Sequence, residues 1–361
     1  MKHPAYEKLY EKLRHEILSG SYVYGDKLPG KRILAEQNSI SVVTVAHALE
    51  MLEDEGYISI RERSGSYISY LAANDLSPRF SLSSPASVYE SAPPAIREHP
   101  SSADVDGFPI TVLVRSMRRV ISEQHEAILI KSPNSGLLNL RQSLSRYLSR
   151  ARGISARPEQ IFIGAGAEYL YSLIVELLGP DRVWAIEFPS YEKIEQVYSA
   201  RGVSLERLPL AHDGIRSNAL HTCTASVLHL SPYRSYPSDV TASASKRMEY
   251  LHWAETDGRF IVEDDYESEF CLRQKPMDPL FAQSRKDNII YLNTFSRTIS
   301  PAIRVGYMVL PLQLLPLFEE RIGFYSCTVP AFEQYVLSDL IDTGEFERHL
   351  HRVRRKLRAQ L

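Results

Sequence analysis

Residues 294–307 read Thr294-Phe295-Ser296-Arg297-Thr298-Ile299-Ser300-Pro301-Ala302-Ile303-Arg304-Val305-Gly306-Tyr307 and follow the apolar run Ile289 to Leu292. That run has the length and β-branched content of a buried strand. Its end carries several hydroxyl groups and Arg304 near one point, a combination that suits a phosphate group. Because open α/β sheets bind ligands at the carboxyl ends of their strands, this stretch predicts a sheet with a site at its edge.

Three further segments place chemical groups directly after apolar runs. Gly164-Ala165-Gly166-Ala167 opens a helix, where free backbone N–H groups can hold a phosphate. Glu187-Phe188-Pro189-Ser190-Tyr191 offers an aromatic ring that can stack on a planar group. Glu263-Asp264-Asp265-Tyr266 offers a carboxylate that can pair with a protonated ring nitrogen. Each is a weak signal alone, since glycine turns and acidic strand ends are common.

Strand-like runs alternate with helical stretches along most of the chain. The runs are Gln160 to Ile163, Val183 to Ile186, Ser226 to Leu230, Phe260 to Val262 and Ile289 to Leu292. This alternation predicts an α/β fold with a largely parallel sheet. The final stretch, Phe332 to Leu361, is expected to be helical to the end.

The first 70 residues have a different pattern, which predicts a winged helix-turn-helix. Apolar residues share one face of a helix over residues 6–18, a second helix covers 27–37, and Ser41 is a suitable N-cap for a third helix ending at Gly56. Residues 57–60 and 66–70 read as the two strands of a hairpin.

In such a fold the third helix lies in the major groove of DNA, with its inward side chains apolar. Val45, Ala48, Leu49 and Leu52 are expected to face inward, which leaves Val42 and its neighbours outward. Cations at the start of the second helix and in the wing would meet phosphates or the minor groove. The predicted DNA contacts are Lys31, Arg32, Ser41, Val43, Thr44, His47, Arg61, Arg63 and Gly65.

Composition limits the remaining possibilities. The chain of 361 residues is 44% hydrophobic and 24% charged, which is typical of globular protein and favours two domains joined by the Ser- and Pro-rich linker at 71–105. No apolar run is long enough for a membrane span and no secretory signal precedes residue 14, so a cytoplasmic location is expected. Three widely spaced cysteines predict neither disulfides nor a zinc site. The net charge of −2 gives no support for nucleic-acid binding by bulk charge.

The N-terminal residues resemble the GntR superfamily of transcription regulators. Its motifs are matched by Leu28-Pro29-Gly30-Lys31-Arg32-Ile33-Leu34-Ala35, Ser41-Val42-Val43-Thr44-Val45, Glu55-Gly56-Tyr57 and Ser64-Gly65-Ser66. The resemblance implies that residues 1–70 bind DNA. Gly30 stands where the family has a capping Ser, and Val42 where it has an Arg, so a weakened affinity is expected.

The four strand-end segments together resemble the fold-type I, pyridoxal-phosphate-dependent aminotransferase domain of the MocR-type regulators, a GntR subgroup. The resemblance covers residues 106–361 and implies an α/β/α arrangement around a largely parallel sheet. It also implies that Asp264 meets the pyridine nitrogen of the cofactor, Tyr266 its phenolic oxygen, and that Tyr191 stacks on the ring. The phosphate would be held by Ala165, Gly166, Ala167, Thr294, Ser296 and Arg304.

Arg297 departs from the family at the position of the lysine that forms the Schiff base with pyridoxal 5'-phosphate. A guanidinium stays protonated and has delocalised lone pairs, so it cannot take that role. It can still pair with a phosphate or a carboxylate. The family's Pro-Ser-His-Gln-x-Pro-Thr-Gly stretch is also altered, and it reads Pro232-Tyr233-Arg234-Ser235-Tyr236-Pro237-Ser238-Asp239 here. Since the sequence ends at Leu361, the family's C-terminal small domain is expected to be missing.

The leading interpretation is a homodimeric regulator that binds a double-stranded DNA operator and senses a ligand without catalysis. Pyridoxal phosphate, bound noncovalently at most, or an amino-acid-like effector is the expected ligand, and no catalytic residue or metal site is predicted. One alternative is a pyridoxal-phosphate-dependent aminotransferase, against which Arg297 stands. The other is a degenerate paralogue that acts only as a dimerisation partner, which Val42 and Asp239 favour. An isolated helix-turn-helix is also compatible with a protein-interaction module.

Overall fold

The computed structural model describes residues 4–61, 64–70, 107–271 and 277–359. The chain divides into two compact units. One contains the described residues up to 70 together with 242–252, and the other contains the described residues of 107–241, 253–271 and 277–359. The predicted linker at 71–105 lies outside the described residues.

Up to residue 70, the described part of the N-terminal unit consists of three helices and a hairpin. The helices are α1 (Ala5–Leu18), α2 (Lys31–Asn38) and α3 (Val42–Asp54), and the antiparallel strands are β1 (Ile58–Arg61) and β2 (Gly65–Ile68). Leu13, Leu49 and Leu52 lie in its apolar core with the other residues of the inner helix faces. The winged helix-turn-helix is thus confirmed. Helix α2 begins later than the predicted Lys27, because Lys27 bridges to Tyr67 of the wing and Pro29 follows it.

The second unit is built on one mixed sheet. Its strands are β3 (Ile161–Gly164), β4 (Val183–Phe188), β5 (Ser204–Ala211), β6 (Gly214–Ile215), β7 (Val227–Leu230), β8 (Phe260–Asp264), β9 (Ile289–Thr294) and β10 (Gly306–Val309). Their order across the sheet is β3-β10-β9-β8-β7-β4-β5-β6. Strand β10 is antiparallel to β3 and β9, and β6 is antiparallel to β5, whereas the other pairs are parallel. The largely parallel α/β sheet is confirmed.

Helices cover the sheet. They are α4 (Ile110–Gln124), α5 (Leu138–Arg152), α6 (Ala167–Leu178), α7 (Glu192–Ala200), α8 (Ser217–Thr222), α10 (Leu280–Gln283), α11 (Leu315–Arg321), α12 (Ala331–Asp342) and α13 (Glu345–Ala359). Most of α9 (Ala244–Ala254) belongs to the N-terminal unit. Successive residues of a strand pack into two different apolar clusters, one on each face of the sheet. Ile161 and Ile163 pack with α5 and α12, whereas Phe162 packs with α6 and α11. The period of two therefore separates two cores, one on each face of the sheet.

The helical structure expected over 332–361 is confirmed as far as residue 359, and it consists of two helices, α12 and α13. Helix α12 ends at Asp342, Thr343 is its C-cap, and Gly344 takes a φ of +73°. A positive φ suits glycine, which has no Cβ to clash with the backbone. No helix in the described part of the chain is both long and apolar enough to cross a bilayer.

Candidate functional site

A cavity of about 310 Å³ lies in the second unit at the edge where β8 and β9 end. Its wall contains most of the residues that the sequence predicted for a cofactor, together with Arg297. The lining residues are Ala167, Glu168, Tyr171, Tyr191, Ile194, Ser231, Tyr236, Asp264, Tyr266, Thr294, Ser296, Arg297, Pro301 and Arg304. Ala165 and Gly166 precede this wall at the start of α6.

The topology explains why distant residues meet here. Asp264 and Thr294 are the last residues of the parallel neighbours β8 and β9, so they reach the same edge. Strand β10 runs in the opposite direction, and its first residue, Gly306, pairs with Thr294. Arg304, which precedes β10, therefore enters the site from the start of a strand rather than from its end.

Asp264 is buried and has one oxygen to spare. Tyr171 donates a hydrogen bond to its Oδ2, and Nε2 of His229 lies 3.7 Å from the same oxygen. Burial raises the pKa of Tyr171 well above its usual value, so the phenol remains a donor. Oδ1 of Asp264 is buried without a hydrogen-bond partner among the described residues. A carboxylate oxygen left unpaired in a cavity wall suits a donor on a ligand, such as a ring N–H.

Another part of the wall combines an arginine with a helix start. Gly166 is the N-cap of α6, with a φ of +87°, and a Cβ built there would lie 3.1 Å from Nη2 of Arg304. Ser296 and Thr294 add hydroxyl groups to the same wall. The N–H of Ala165, predicted to contact a phosphate, instead donates to Oγ1 of Thr328 at 3.1 Å. The other groups combine a helix N-terminus, hydroxyls and a guanidinium, which are the groups that bind anions in proteins.

Glu168 already pairs with that arginine. Its carboxylate contacts Nη2 of Arg304, and Nζ of Lys193 lies 2.9 Å from it. Burial favours the neutral acid, but hydrogen bonds from Lys193 and Arg304 prevail and lower the pKa of Glu168. An incoming phosphate therefore has to compete with an ionised carboxylate for Arg304.

Arg297 lies in the wall and is held by a buried acid. Its Nη2 is 3.0 Å from Oε1 of Glu267, whose side chain is 1% exposed, and Nη1 of Arg234 lies 3.4 Å from Oε2 of Glu267. Nε of Arg297 is buried without a hydrogen-bond partner among the described residues. No lysine belongs to the residues that line this cavity. The wall thus presents guanidinium groups, from Arg297 and Arg304, and no lysine amine.

Tyrosine rings form another part of the wall. Tyr191 and Tyr236 meet edge to face, with ring centroids 6.1 Å apart. The hydroxyl of Tyr266 donates to the backbone oxygen of Arg234 at 2.8 Å. A flat ligand can stack on one of these rings, while the Tyr266 hydroxyl already has an acceptor.

Several residues of this site were not predicted from the sequence. Tyr171 lies on the apolar helix α6 and reads as a core residue, and His229 lies inside strand β7. Glu168 and Glu267 stand next to predicted segments, but their arginine partners are distant in sequence. For Glu168 and Glu267, the available sequence signal was a charged residue directly beside a strand-end segment.

The N-terminal unit presents the predicted DNA contacts in three settings. Lys31 and Arg32 are exposed at the start of α2. Arg61 is exposed at the end of β1, with its guanidinium 4.7 Å from the centre of the Tyr67 ring, and opposite it Gly65 takes a φ of +118°. Arg63 lies outside the described residues.

The remaining contacts lie on α3. The N-cap predicted at Ser41 is confirmed, because its Oγ accepts the N–H of Thr44 at 3.0 Å. The Ser41 and Thr44 hydroxyls lie 2.8 Å apart. Val43 is 78% exposed. His47 is partly buried against Tyr6 of α1, with ring centroids 4.3 Å apart, so its ring lies against the unit rather than standing free.

Comparison with known proteins distinguishes the same two parts of the chain, the N-terminal unit and the second unit. Residues 5–68 match the profile of bacterial regulatory proteins of the gntR family. The chain is 29% identical over 99% of its length to the uncharacterized HTH-type transcriptional regulator YdeL of Bacillus subtilis, of which it covers 77%. It is 27% identical, over 98% of the chain and 74% of the relative, to the probable rhizopine catabolism regulatory protein MocR of Rhizobium meliloti. It is 28% identical, over 97% and 76%, to the pyridoxine biosynthesis transcriptional regulator PdxR of Corynebacterium glutamicum.

Solved structures similar to the chain include aminotransferases. An archaeal alanine:glyoxylate aminotransferase superposes with a TM-score of 0.62 at 22% identity, over 71% of this chain and 65% of that one. A kynurenine aminotransferase of Pyrococcus horikoshii gives 0.63 at 23% identity, over 70% and 65%. The chain thus spans about 65% of the length of these enzymes, and the similarity shows the fold of the second unit.

The two units together define a class of protein: a transcription regulator in which a GntR-type winged helix-turn-helix precedes an aminotransferase-like fold. Over nearly its whole length the chain is similar to HTH-type transcriptional regulators, among them MocR and PdxR.

Proposed function

We propose that the aminotransferase-like unit of this regulator binds pyridoxal 5'-phosphate, or an amino-acid-like effector, noncovalently and without catalysis. The winged helix-turn-helix would bind an operator in double-stranded DNA, and the chain would act in the cytoplasm as a homodimer. The observation that carries this proposal is Arg297, which lines the cavity in the absence of any lining lysine. We propose domain limits of 1–70 and 106–361 for the two activities.

The residues present fit the cofactor apart from covalent attachment. The spare Oδ1 of Asp264 would accept the ring N–H, Tyr191 would stack on the ring, and Tyr266 would lie near its phenolic oxygen. Ala167, Thr294, Ser296 and Arg304, with Gly166 at the helix start, would hold the phosphate. When bound, the cofactor supplies an electron-accepting ring.

Arg297 supports binding over chemistry. A guanidinium stays protonated and has delocalised lone pairs, so it can neither attack a carbonyl nor carry a proton between atoms of a substrate. Its ion pair with Glu267 holds it in the wall. The names of PdxR and MocR relate those regulators to pyridoxine biosynthesis and to rhizopine catabolism, which favours a small-molecule effector here too.

The test is a titration of the purified full chain with pyridoxal 5'-phosphate, followed by borohydride reduction and mass spectrometry. We expect saturable binding with no added mass. Arg297→Lys should gain the mass of one reduced phosphopyridoxyl group, because lysine supplies the missing amine. Asp264→Ala should weaken binding by about 10- to 100-fold, since a charge-assisted hydrogen bond is lost.

Asp257→Ala is the matched control, because its side chain is fully exposed outside the cavity. Trapping in the unmodified chain, or amino-group transfer from any amino acid, would overturn the proposal. Absence of binding by both the wild type and Arg297→Lys would leave the second unit as a scaffold.

A further inference from the structure

We propose that Val42 and Val43, at the start of α3, recognise the 5-methyl groups of thymines in the major groove. The inference rests on the proposed DNA binding of the N-terminal unit. It assigns base recognition to two apolar side chains at a position where a polar residue would ordinarily be sought.

The first turn of α3 leaves little else for a base to contact. Val43 is 78% exposed and Val42 is 44% exposed. Oγ of Ser41 accepts the N–H of Thr44, and the two hydroxyls lie within 2.8 Å of each other. These polar groups therefore close the helix end, and aliphatic surface faces outward.

The next outward residue is also engaged. The His47 ring lies 4.3 Å from the Tyr6 ring, and its Nε2 is buried without a hydrogen-bond partner among the described residues. An imidazole packed in this way is poorly placed for a base edge. The exposed valines are thus the available readers on this part of α3.

The chemistry of valine selects one kind of base-pair edge. Its side chain can neither donate nor accept a hydrogen bond, and the thymine 5-methyl is the apolar group that the major groove offers. Burial of one methyl-sized group is equivalent to about a fourfold change in affinity. Two such contacts can discriminate A·T pairs from G·C pairs without any hydrogen bond to a base.

The surrounding charges favour DNA as the occupant of this surface. Lys31 and Arg32 are exposed at the start of α2, and Arg61 is exposed in the wing. Contacts of cations with phosphates fix the register of a protein on DNA but carry no sequence information. We therefore assign positioning to these cations and sequence recognition to the valines.

The experiment begins with selection of duplexes from a random-sequence library by the full chain. In the enriched sequence, each thymine is then replaced by deoxyuridine, which lacks only the 5-methyl group. We expect one or two positions per half-site at which this replacement weakens binding about fourfold. With Val43→Ala the penalty should vanish at one of them, because thymine and deoxyuridine then bind alike.

Val23→Ala is the matched control, since Val23 is 56% exposed and precedes α2. It should keep the full deoxyuridine penalty. The melting temperature of Val43→Ala should equal that of the wild type, because the shortened side chain is on the surface. If the enriched sequence bound equally well with thymine and with deoxyuridine, this inference would be overturned while the proposed DNA binding would stand. The exposed valines would then be assigned to contact with a protein partner. Failure to enrich any sequence would overturn the proposed DNA binding itself.

Discussion

Nη2 of Arg297 lies 3.0 Å from Oε1 of Glu267, and this ion pair is formed where only 1% of the Glu267 side chain is exposed. Removal of one partner from a buried pair leaves an uncompensated charge. We expect Arg297→Met to lower the free energy of unfolding by about 1–2 kcal/mol, less than for a fully buried pair because Arg297 is 20% exposed. Arg234 also contacts the acid.

A double-mutant cycle with Glu267→Gln measures the coupling between the two side chains. The double variant should be more stable than the sum of the single changes indicates. The exposed pair of Arg201 with Glu176 is the control and should show little coupling. Additive effects of Arg297→Met and Glu267→Gln would show that the pair does not hold Arg297 in place.

Glu168 competes with any phosphate for Arg304. Glu168→Gln removes a negative charge from the cavity wall and frees the guanidinium, so it should tighten the binding of pyridoxal 5'-phosphate about two- to fivefold. Equilibrium titration by absorbance gives the affinity. Glu176→Gln on the same helix should leave it unchanged, since Glu176 does not line the cavity. Weaker binding by Glu168→Gln would mean that Glu168 positions Arg304 rather than blocking it.

Glu187 makes stability depend on pH. Burial raises the pKa of this carboxyl to about 8, against hydrogen bonds from Ser235 and from the N–H of Ser231 that favour the anion. The folded state therefore binds a proton that the unfolded chain has lost above its ordinary pKa of 4.5. Stability should fall as the pH rises from about 4.5 to about 8.

Glu187→Gln removes this titration. Its melting temperature should exceed that of the wild type at pH values above 8 and approach it near pH 5, where the wild-type carboxyl is protonated when folded. Glu320→Gln on the surface should keep the wild-type slope. Equal slopes for wild type and Glu187→Gln between these limits would contradict an ionisable origin at this position.

Ser41 closes the helix that carries the proposed DNA contacts. Ser41→Ala removes the acceptor for the Thr44 N–H and should cost about 1 kcal/mol of stability in the N-terminal unit. Ser41→Asp restores an acceptor at the cap and should recover most of that loss. Thermal unfolding followed by circular dichroism measures both. If Ser41→Asp were as unstable as Ser41→Ala, the lost N-cap hydrogen bond would be excluded as the cause of the lower stability.

Much of the fold was predictable from local patterns. Apolar runs identified β3, β4, β7, β8 and β9 because both of their faces are buried. Strand β5 was not predicted, because it lies near the edge of the sheet and its residues alternate between exposed and buried. Strand β10 was not predicted, because its first residues belong to the stretch that was interpreted as a phosphate site. The break at Gly344 was missed because the apolar pattern of α12 and α13 continues across it.

The site was predictable only in part, because its charges are paired across the fold. The sequence indicated Asp264, Arg304 and the loss of an amine at Arg297, since each stands at a strand end or in a motif. It did not indicate that Tyr171 would donate to Asp264 or that Glu168 would pair with Arg304. Such contacts join residues far apart in the chain, and local spacing carries no information about them.

The direction of β10 has an evolutionary consequence. Between Phe260 and Val309 the chain returns to one edge of the sheet at Asp264, Thr294 and Arg304. Asp264, Thr294, Ser296, Arg297 and Arg304 of the cavity wall therefore belong to one continuous segment of sequence, whereas Ala167 and Tyr191 come from earlier in the chain. A single recombination between paralogues within this segment would replace Asp264, Arg297 and Arg304 together, while α6 and α7 are inherited unchanged.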